Sequence, residues 1–396
     1  MLMGGGVLAT QNLKVMPTKT ISINTFSFTF ILLMKKNIFS GMNNKYDKPI
    51  FKDETIFYPD YLPEKILSRD AQLKELTYLL KPLLNLKKAN NLLIYGPPGT
   101  GKTLTSVFVL KELCEYTTKV KYIYFNVIKD NTRYSVLSGL VSFFGDALPR
   151  RGLAIDEILS RLNEFFSKSY FSPVIILDEI DKMDVIDSSN LLYDLTRFSS
   201  NNKFFTVILI TNHKSFILDL DKRTQSSLFL SEIEYPKYKP TEIKDILKER
   251  IDYGLVPGSI NEDLIGYISG FAAARGGDAR IAIDLIYKAG KEAEKQGLQE
   301  ITRDVLLSSA KFVDSQKLSE KIKYLSKEEI DVLLAIDDGI VTTELYCKLN
   351  LSERAIRRYL DTLEKLELIK IDSYRTGKAQ KRRVSLRMDP ELLRRM

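Results

Sequence analysis

The run Gly96-Pro97-Pro98-Gly99-Thr100-Gly101-Lys102-Thr103 has the residue types and spacing of a phosphate cradle. Its glycines let successive backbone N–H groups turn inward around an anion, and a helix starting at the lysine adds the positive end of its dipole. Lys102 can neutralise the β- and γ-phosphates of a nucleotide, Thr103 can hold Mg²⁺ through its hydroxyl, and Leu104 closes the set of expected nucleotide-binding residues. The pattern is specific only between a strand and a helix. Both are expected here, because Asn91–Tyr95 is an apolar run and Lys102–Cys114 reads as helix.

A second acidic element fits the same chemistry. Val174-Ile175-Ile176-Leu177 is an apolar strand that ends in Asp178-Glu179, at the edge where a parallel sheet presents its ligands. There Asp178 can bind Mg²⁺ through water and Glu179 can orient or deprotonate an attacking water. The pair could also form a solvated acidic turn, since Asp181 and Asp184 follow closely, but the phosphate cradle favours the catalytic reading. Another strand, Thr206–Ile210, leads into Thr211-Asn212. The Asn212 amide there can bond a γ-phosphate or the water, or simply form the turn. His213 reads as its neighbour rather than as a base.

The elements that must position these groups alternate strand and helix. Expected strands are Asn91–Tyr95, Val120–Asn126, Val174–Leu177, Phe205–Thr211 and Leu230–Glu234, with helices such as Lys102–Cys114 and Ala154–Lys168 between them. That is the signature of a parallel α/β sheet covered on both faces. After Pro236 the strands stop, and helices are expected over Thr241–Tyr253, Asn261–Ala274, Asp278–Lys295 and Thr302–Val313, punctuated by glycines. The 396 residues, 44% hydrophobic and 28% charged, suit two or three folded domains. The reading is a leader over 1–41, disordered or artefactual, with Met34 or Met42 as the true start. A nucleotide-binding core over 42–236, an all-helical lid over 237–320 and a final domain over 321–396 follow it.

Charge and cysteine content narrow the partners. The net charge is +8, and from residue 375 onward eight Lys and Arg face only Asp389 and Glu391, so nucleic acid is the expected anionic partner. Cys114, Cys347 and His213 stand apart, which excludes a zinc cluster and a disulfide framework and fits a reducing cytosol. The apolar stretch Phe26–Met34 is shorter than the roughly 20 residues that a membrane-spanning helix needs, so no membrane role is expected.

The last domain reads as helix, helix, turn, helix, strand, loop, strand. Ser326 caps the first helix, Thr342–Leu349 is the second, Asn350-Leu351-Ser352 is the turn, and Ser352 caps a third helix running toward Leu366. On that helix Ile356, Leu360 and Leu363 face a core while Arg354, Arg357 and Arg358 face outward, as in a helix that enters a major groove. Leu368–Ser373 and Arg382–Leu386 are expected as strands around a loop over Tyr374–Lys381, so that Arg375, Lys378, Lys381, Arg382 and Arg383 make a basic wing. A winged helix of this kind also occurs as a protein-docking module; its positive balance favours duplex DNA.

Taken with these motifs, the chain from about Pro49 onward resembles AAA+ ATPases, and among them the origin-recognition and cell-division-control initiators of DNA replication in their archaeal form. Tyr61-Leu62-Pro63-Glu64-Lys65-Ile66-Leu67-Ser68-Arg69-Asp70 is similar to the family's segment over the adenine, and Asn212 falls at its first phosphate sensor. Gly276-Gly277-Asp278-Ala279-Arg280 looks like the second sensor, which implies that Arg280 reaches the γ-phosphate from the lid. The resemblance also places Tyr238 and Arg250 at nucleotide-contacting positions, and Arg223, in Asp221-Lys222-Arg223-Thr224, as an arginine finger. Asn131–Arg151 is similar to the initiator-specific insertion, which implies DNA contacts from Arg133, Tyr134, Arg150 and Arg151. The implied function is an initiator that binds double-stranded origin DNA and ATP or ADP with Mg²⁺, hydrolyses ATP slowly as a switch, and recruits the replicative helicase. Other initiator paralogues are possible partners, and the location implied is cytoplasmic, on the nucleoid. Two other readings stand beside it: an AAA+ transcription regulator or transposition helper, and a DNA-binding protein that keeps its nucleotide without turnover.

Overall fold

A computed structural model of the chain describes residues 49–145, 152–200, 203–323, 325–336, 339–349, 351–366, 368–376 and 379–387. The expected leader, Arg150, Arg151 and Lys378 lie outside the described residues.

Five parallel strands form the central sheet: β1 (Asn91–Tyr95), β2 (Val120–Asn126), β3 (Ser172–Asp178), β4 (Thr206–Thr211) and β5 (Leu230–Glu234), in the spatial order β2-β3-β4-β1-β5. Side chains alternate across a strand, so each apolar run feeds two cores. Leu93, Ile175, Leu177, Val207 and Leu209 are buried on one face, and Leu92, Ile94, Val174, Ile176, Ile208 and Ile210 on the other. The first face is covered by α3 (Arg133–Phe143), α4 (Ile155–Lys168) and α5 (Val185–Arg197). The second is covered by α1 (Asp70–Leu80) and α2 (Lys102–Tyr116). In register, Asn126 pairs with Asp178, Asp178 with Ile210, and Tyr95 with Thr211, so the strand ends carrying the candidate groups share one edge. A short helix, α6 (Lys222–Leu228), packs beside α5 and leads into β5.

Four helices follow: α7 (Pro240–Gly254), α8 (Glu262–Ala274), α9 (Ala279–Lys295) and α10 (Arg303–Ile322). Their shared core contains Ile243, Leu247, Ile268, Leu285 and Ile286, all buried. Ile50, Phe51, Ile56 and Phe57, which the sequence reading groups with the sheet domain, are buried in this helical core instead. The backbone N–H groups of Lys52 and Asp53 both donate to the Gly254 carbonyl, which fastens the stretch to the end of α7. Its apolar residues are too few to make a core of their own, and they share the lid's.

The C-terminal unit consists of α11 (Lys327–Ala335), β6 (Ile340–Val341), α12 (Thr342–Lys348), α13 (Glu353–Lys365), β7 (Ile369–Thr376) and β8 (Ala379–Leu386). The strands make an antiparallel sheet in the order β6-β8-β7 over a core that includes Val332, Leu345, Ile356, Leu360, Leu363 and Val384. The helices and the β7–β8 hairpin follow in the order expected of a winged helix. Ser326 and Glu329 form a capping box at α11, and Ser352 caps α13. One expectation is corrected. The wing strands do not stop at Ser373 and resume at Arg382; pairing continues outward until Thr376 faces Ala379, so Arg375 and Lys381 lie on strands rather than in a loop. The basic residues there disguised strand as loop, but charge alone does not break a ladder whose two strands are joined by so short a link.

Candidate functional site

The cradle forms where β1 passes into α2. Gly101 caps α2 in the left-handed region at φ 88°, and Gly99 sits at φ 68°. The Lys102 ammonium donates to the Gly96 carbonyl (2.7 Å), the Pro97 carbonyl (2.8 Å) and the Asn212 side-chain oxygen (3.0 Å). Burial pulls this ammonium down to about 8 against the upward pull of Asp178. A cation held this way, beside N–H groups at a helix start, is suited to exchange carbonyl partners for phosphate oxygens.

The acidic strand end lies opposite. The Thr103 hydroxyl donates to Asp178 Oδ2 at 2.8 Å, and Asp178 Oδ1 accepts from the Glu179 N–H at 3.0 Å. A hydroxyl and a carboxylate converging this closely beside a phosphate cradle are a donor set of hard oxygens. Such a set fits Mg²⁺, which takes few protein ligands and completes its shell with phosphates and water. Glu179 itself is a non-glycine residue in the left-handed region, at φ 56°. Such strain, about 1–3 kcal/mol, persists where the surroundings enforce it and clusters at functional sites.

The lid meets the loop directly. The Ala279 N–H, at the start of α9, donates to the Gly99 carbonyl at 3.2 Å. Asp278 caps the same helix, accepting from the Arg280 N–H at 2.9 Å, and also holds the Arg280 guanidinium at 3.1 and 3.2 Å. A Cβ added to Gly99 would run into the Asp278 carboxylate, which shows how closely the two elements approach. Tyr238 is buried at the junction of sheet and lid with its hydroxyl against Gly101.

Other candidates lie elsewhere. Arg250 is buried, donates to the Ile56 carbonyl at 2.7 Å and lies 4.2 Å from the ring centroid of Tyr61, the first residue of the segment expected over the adenine, so these contacts are not with the cradle. Arg223 stands on α6 with 60% of its side chain exposed, over the Tyr193 ring and 3.7 Å from Asp221. Arg133 is corrected in its setting. Its guanidinium pairs with the half-buried Asp194 at 2.7 and 2.8 Å, so the expected DNA contact has an internal competitor. Val136, Leu140 and Val141 on the same helix are buried, as their spacing predicts.

On α13, Arg354, Arg357 and Arg358 are exposed on the face opposite Ile356, Leu360 and Leu363. Arg357 donates to the Tyr346 hydroxyl at 3.3 Å. Arg382 and Arg383 are exposed on β8, and Arg383 also donates to the Gly339 carbonyl at 2.9 Å.

Two residues of the nucleotide site do more than the sequence predicts: Tyr124 has no expected role, and Arg69 is expected only as part of the segment over the adenine. The Tyr124 hydroxyl, on β2, donates to the same Asp178 Oδ2 at 2.8 Å; burial and the neighbouring carboxylate raise its pKa, which keeps it a donor. Arg69 is almost wholly buried and bonded to the cradle's backbone at Thr100. Tyr124 stands two residues before the end of the expected strand Val120–Asn126, which is the signal that could have found it; Arg69 lies in the segment expected over the adenine, but nothing in that pattern points to its bond with Thr100.

The chain is similar to known proteins. A family profile described as the Cdc6 AAA+ ATPase-type lid domain matches residues 244–310, and an AAA domain profile matches 85–216. The chain is 32% identical over 339 residues to ORC1-type DNA replication protein 1 of Sulfurisphaera tokodaii, covering 81% of this chain and 85% of that one. It is 31% identical to the ORC1-type DNA replication protein of Pyrococcus furiosus over 82% of this chain and 83% of that one. Among solved structures it is similar to the Aeropyrum pernix ORC1 protein in complex with DNA, with a TM-score of 0.70 and 29% identity over 88% of this chain and 97% of that one.

Proposed function

Because the chain belongs to the ORC1-type DNA replication proteins, AAA+ ATPases with a Cdc6-type lid, we propose that it is a replication initiator whose grip on duplex origin DNA is set by the nucleotide between cradle and lid. The observation that carries this reading is the contact of the Gly99 carbonyl with the Ala279 N–H, one residue before Arg280. A lid seated on the phosphate loop feels whether a γ-phosphate is present. Arg280 can then leave Asp278 for that phosphate, and the lid gains differential affinity for ATP over ADP.

Within the site, Lys102 and the loop N–H groups bind the phosphates, Asn212 orients the γ-phosphate or the attacking water, and Glu179 takes a proton from that water. Thr103 and Asp178 would hold Mg²⁺, which supplies charge neutralisation on the phosphates when bound. Hydrolysis is slow and serves as a timer, and the ATP state recruits the helicase. Arg223 acts on the cradle of a neighbouring copy. Exposed arginines on α13 and β8 support DNA contact, as does the DNA-bound state of the Aeropyrum relative. The test is Arg280→Ala with ATP and ADP titrated separately: ATP affinity should fall toward that for ADP while ADP affinity holds. Equal loss of both overturns the sensor assignment.

A further inference from the structure

We infer that Arg69 is a positioning residue that couples the phosphate loop to the lid, an inference that rests on Arg280 sensing the γ-phosphate from that lid. Arg69 is 2% exposed, and its guanidinium bridges two separate segments. Nε donates to the Thr100 carbonyl of the cradle at 2.9 Å, and Nη2 donates to the Pro236 carbonyl, where β5 hands over to the lid, at 2.7 Å. Its Cζ lies over the Tyr238 ring, 3.6 Å from the centroid. A third donation goes to the Ser68 carbonyl at 3.2 Å, and no ion pair with a carboxylate is seen for it among the described residues. A buried cation without a carboxylate partner is costly to keep, and a planar fork stacked on an aromatic ring is the form in which it is tolerated.

Each end of the bridge has a consequence. The Thr100 carbonyl and the Gly101 N–H belong to one planar trans peptide and point in opposite directions, so fixing the carbonyl fixes the direction of a cradle donor. At the other end, the linker held through Pro236 supports the start of α9. A Cβ on Gly277 would meet the Tyr238 backbone O and N at 2.8 and 2.9 Å, and two residues later Ala279 bonds the loop. Lid movement that shifts this linker therefore pulls on the same guanidinium that orients the cradle.

The experiment measures ATP and ADP dissociation constants for the full chain carrying Arg69→Met, Arg69→Lys, Arg280→Ala, or Arg69→Met with Arg280→Ala, with thermal melts as a fold control. Arg69→Met should weaken both nucleotides by about tenfold or more, the loss expected for a charge-assisted hydrogen bond. It should also lower the ratio of ATP to ADP affinity to that of Arg280→Ala, and the double variant should lower the ratio no further. Arg69→Lys keeps the charge but not the fork, so its ratio should fall as well, and this variant decides the matter if Arg69→Met does not fold. A normal ratio in the Arg69 variants, with a lowered ratio in Arg280→Ala, overturns the coupling alone. A normal ratio in Arg280→Ala overturns the sensor reading and takes the coupling with it.

Discussion

Gly99→Ala perturbs the contact between loop and lid at one atom, and its cost can be assembled from the structure. At φ 68° the alanine side chain costs about 1–2 kcal/mol in backbone strain. The added Cβ also lands on the Asp278 carboxylate, which has to move and give up the cap it makes on α9, worth about 1 kcal/mol. With that cap goes the 3.2 Å bond between the Ala279 N–H and the Gly99 carbonyl, worth about 1 kcal/mol more. The last two losses fall on lid docking, and about 2 kcal/mol corresponds to roughly thirtyfold in affinity for a ligand that needs the docked lid. Gly258→Ala is the control. Gly258 has φ 83° but open space around its Cβ position, so the substitution carries the strain without the collision. Calorimetric titration should show ATP binding weakened roughly thirtyfold in Gly99→Ala, and unchanged in Gly258→Ala despite a comparable loss of melting temperature. Undiminished ATP affinity in Gly99→Ala, or an equal loss in Gly258→Ala, refutes the reasoning.

Glu179→Gln should keep ATP affinity and abolish turnover, because the amide keeps the shape but cannot take a proton; single-turnover hydrolysis at the normal rate would move the base elsewhere. Tyr124→Phe removes one of the two hydroxyls that donate to Asp178 Oδ2, so the Mg²⁺ concentration for half-maximal hydrolysis should rise by about tenfold, at the lower end for an outer-shell partner. An unchanged Mg²⁺ titration argues against that role. On the winged helix, Arg382→Ala should weaken all duplex sequences alike and reduce the log–log salt slope by about 1, whereas Arg358→Ala should cost about 1–3 kcal/mol on the preferred site and flatten sequence preference. Fluorescence anisotropy in a salt series separates them, and an unaltered slope in Arg382→Ala removes it from the phosphate contacts.

The sheet and the cradle were legible because their signals are local. β1, β2 and β5 fall where the apolar runs place them, and the helix start at Lys102 is written in the glycine spacing. What stayed hidden depends on residues far apart in the chain. Arg69, Thr100 and Pro236 meet only after the sheet closes, and no period in the sequence links them. Arg133 reads as a free cation until α5 brings Asp194 beside it. Ile50–Phe57 reads as the beginning of the sheet domain, yet its aromatic rings fill the lid, where Gly254 and Gly290 leave room for Phe57 and Phe51. The wing strands were cut short because cationic residues resemble loop in composition, while their pairing is set by the partner strand.

The most direct test of the proposed nucleotide switch is one titration: the 396-residue chain against labelled duplex DNA, origin and scrambled, saturated with ATP or with ADP. The account predicts binding at low salt that falls steeply as salt rises. It also predicts a preference for origin sequence and an affinity that differs between the two nucleotides. In Lys102→Ala, DNA binding should persist without the nucleotide dependence, since the cradle has lost its only lysine. A folded chain that binds no duplex at low salt, or binds it identically with ATP and ADP, contradicts the account.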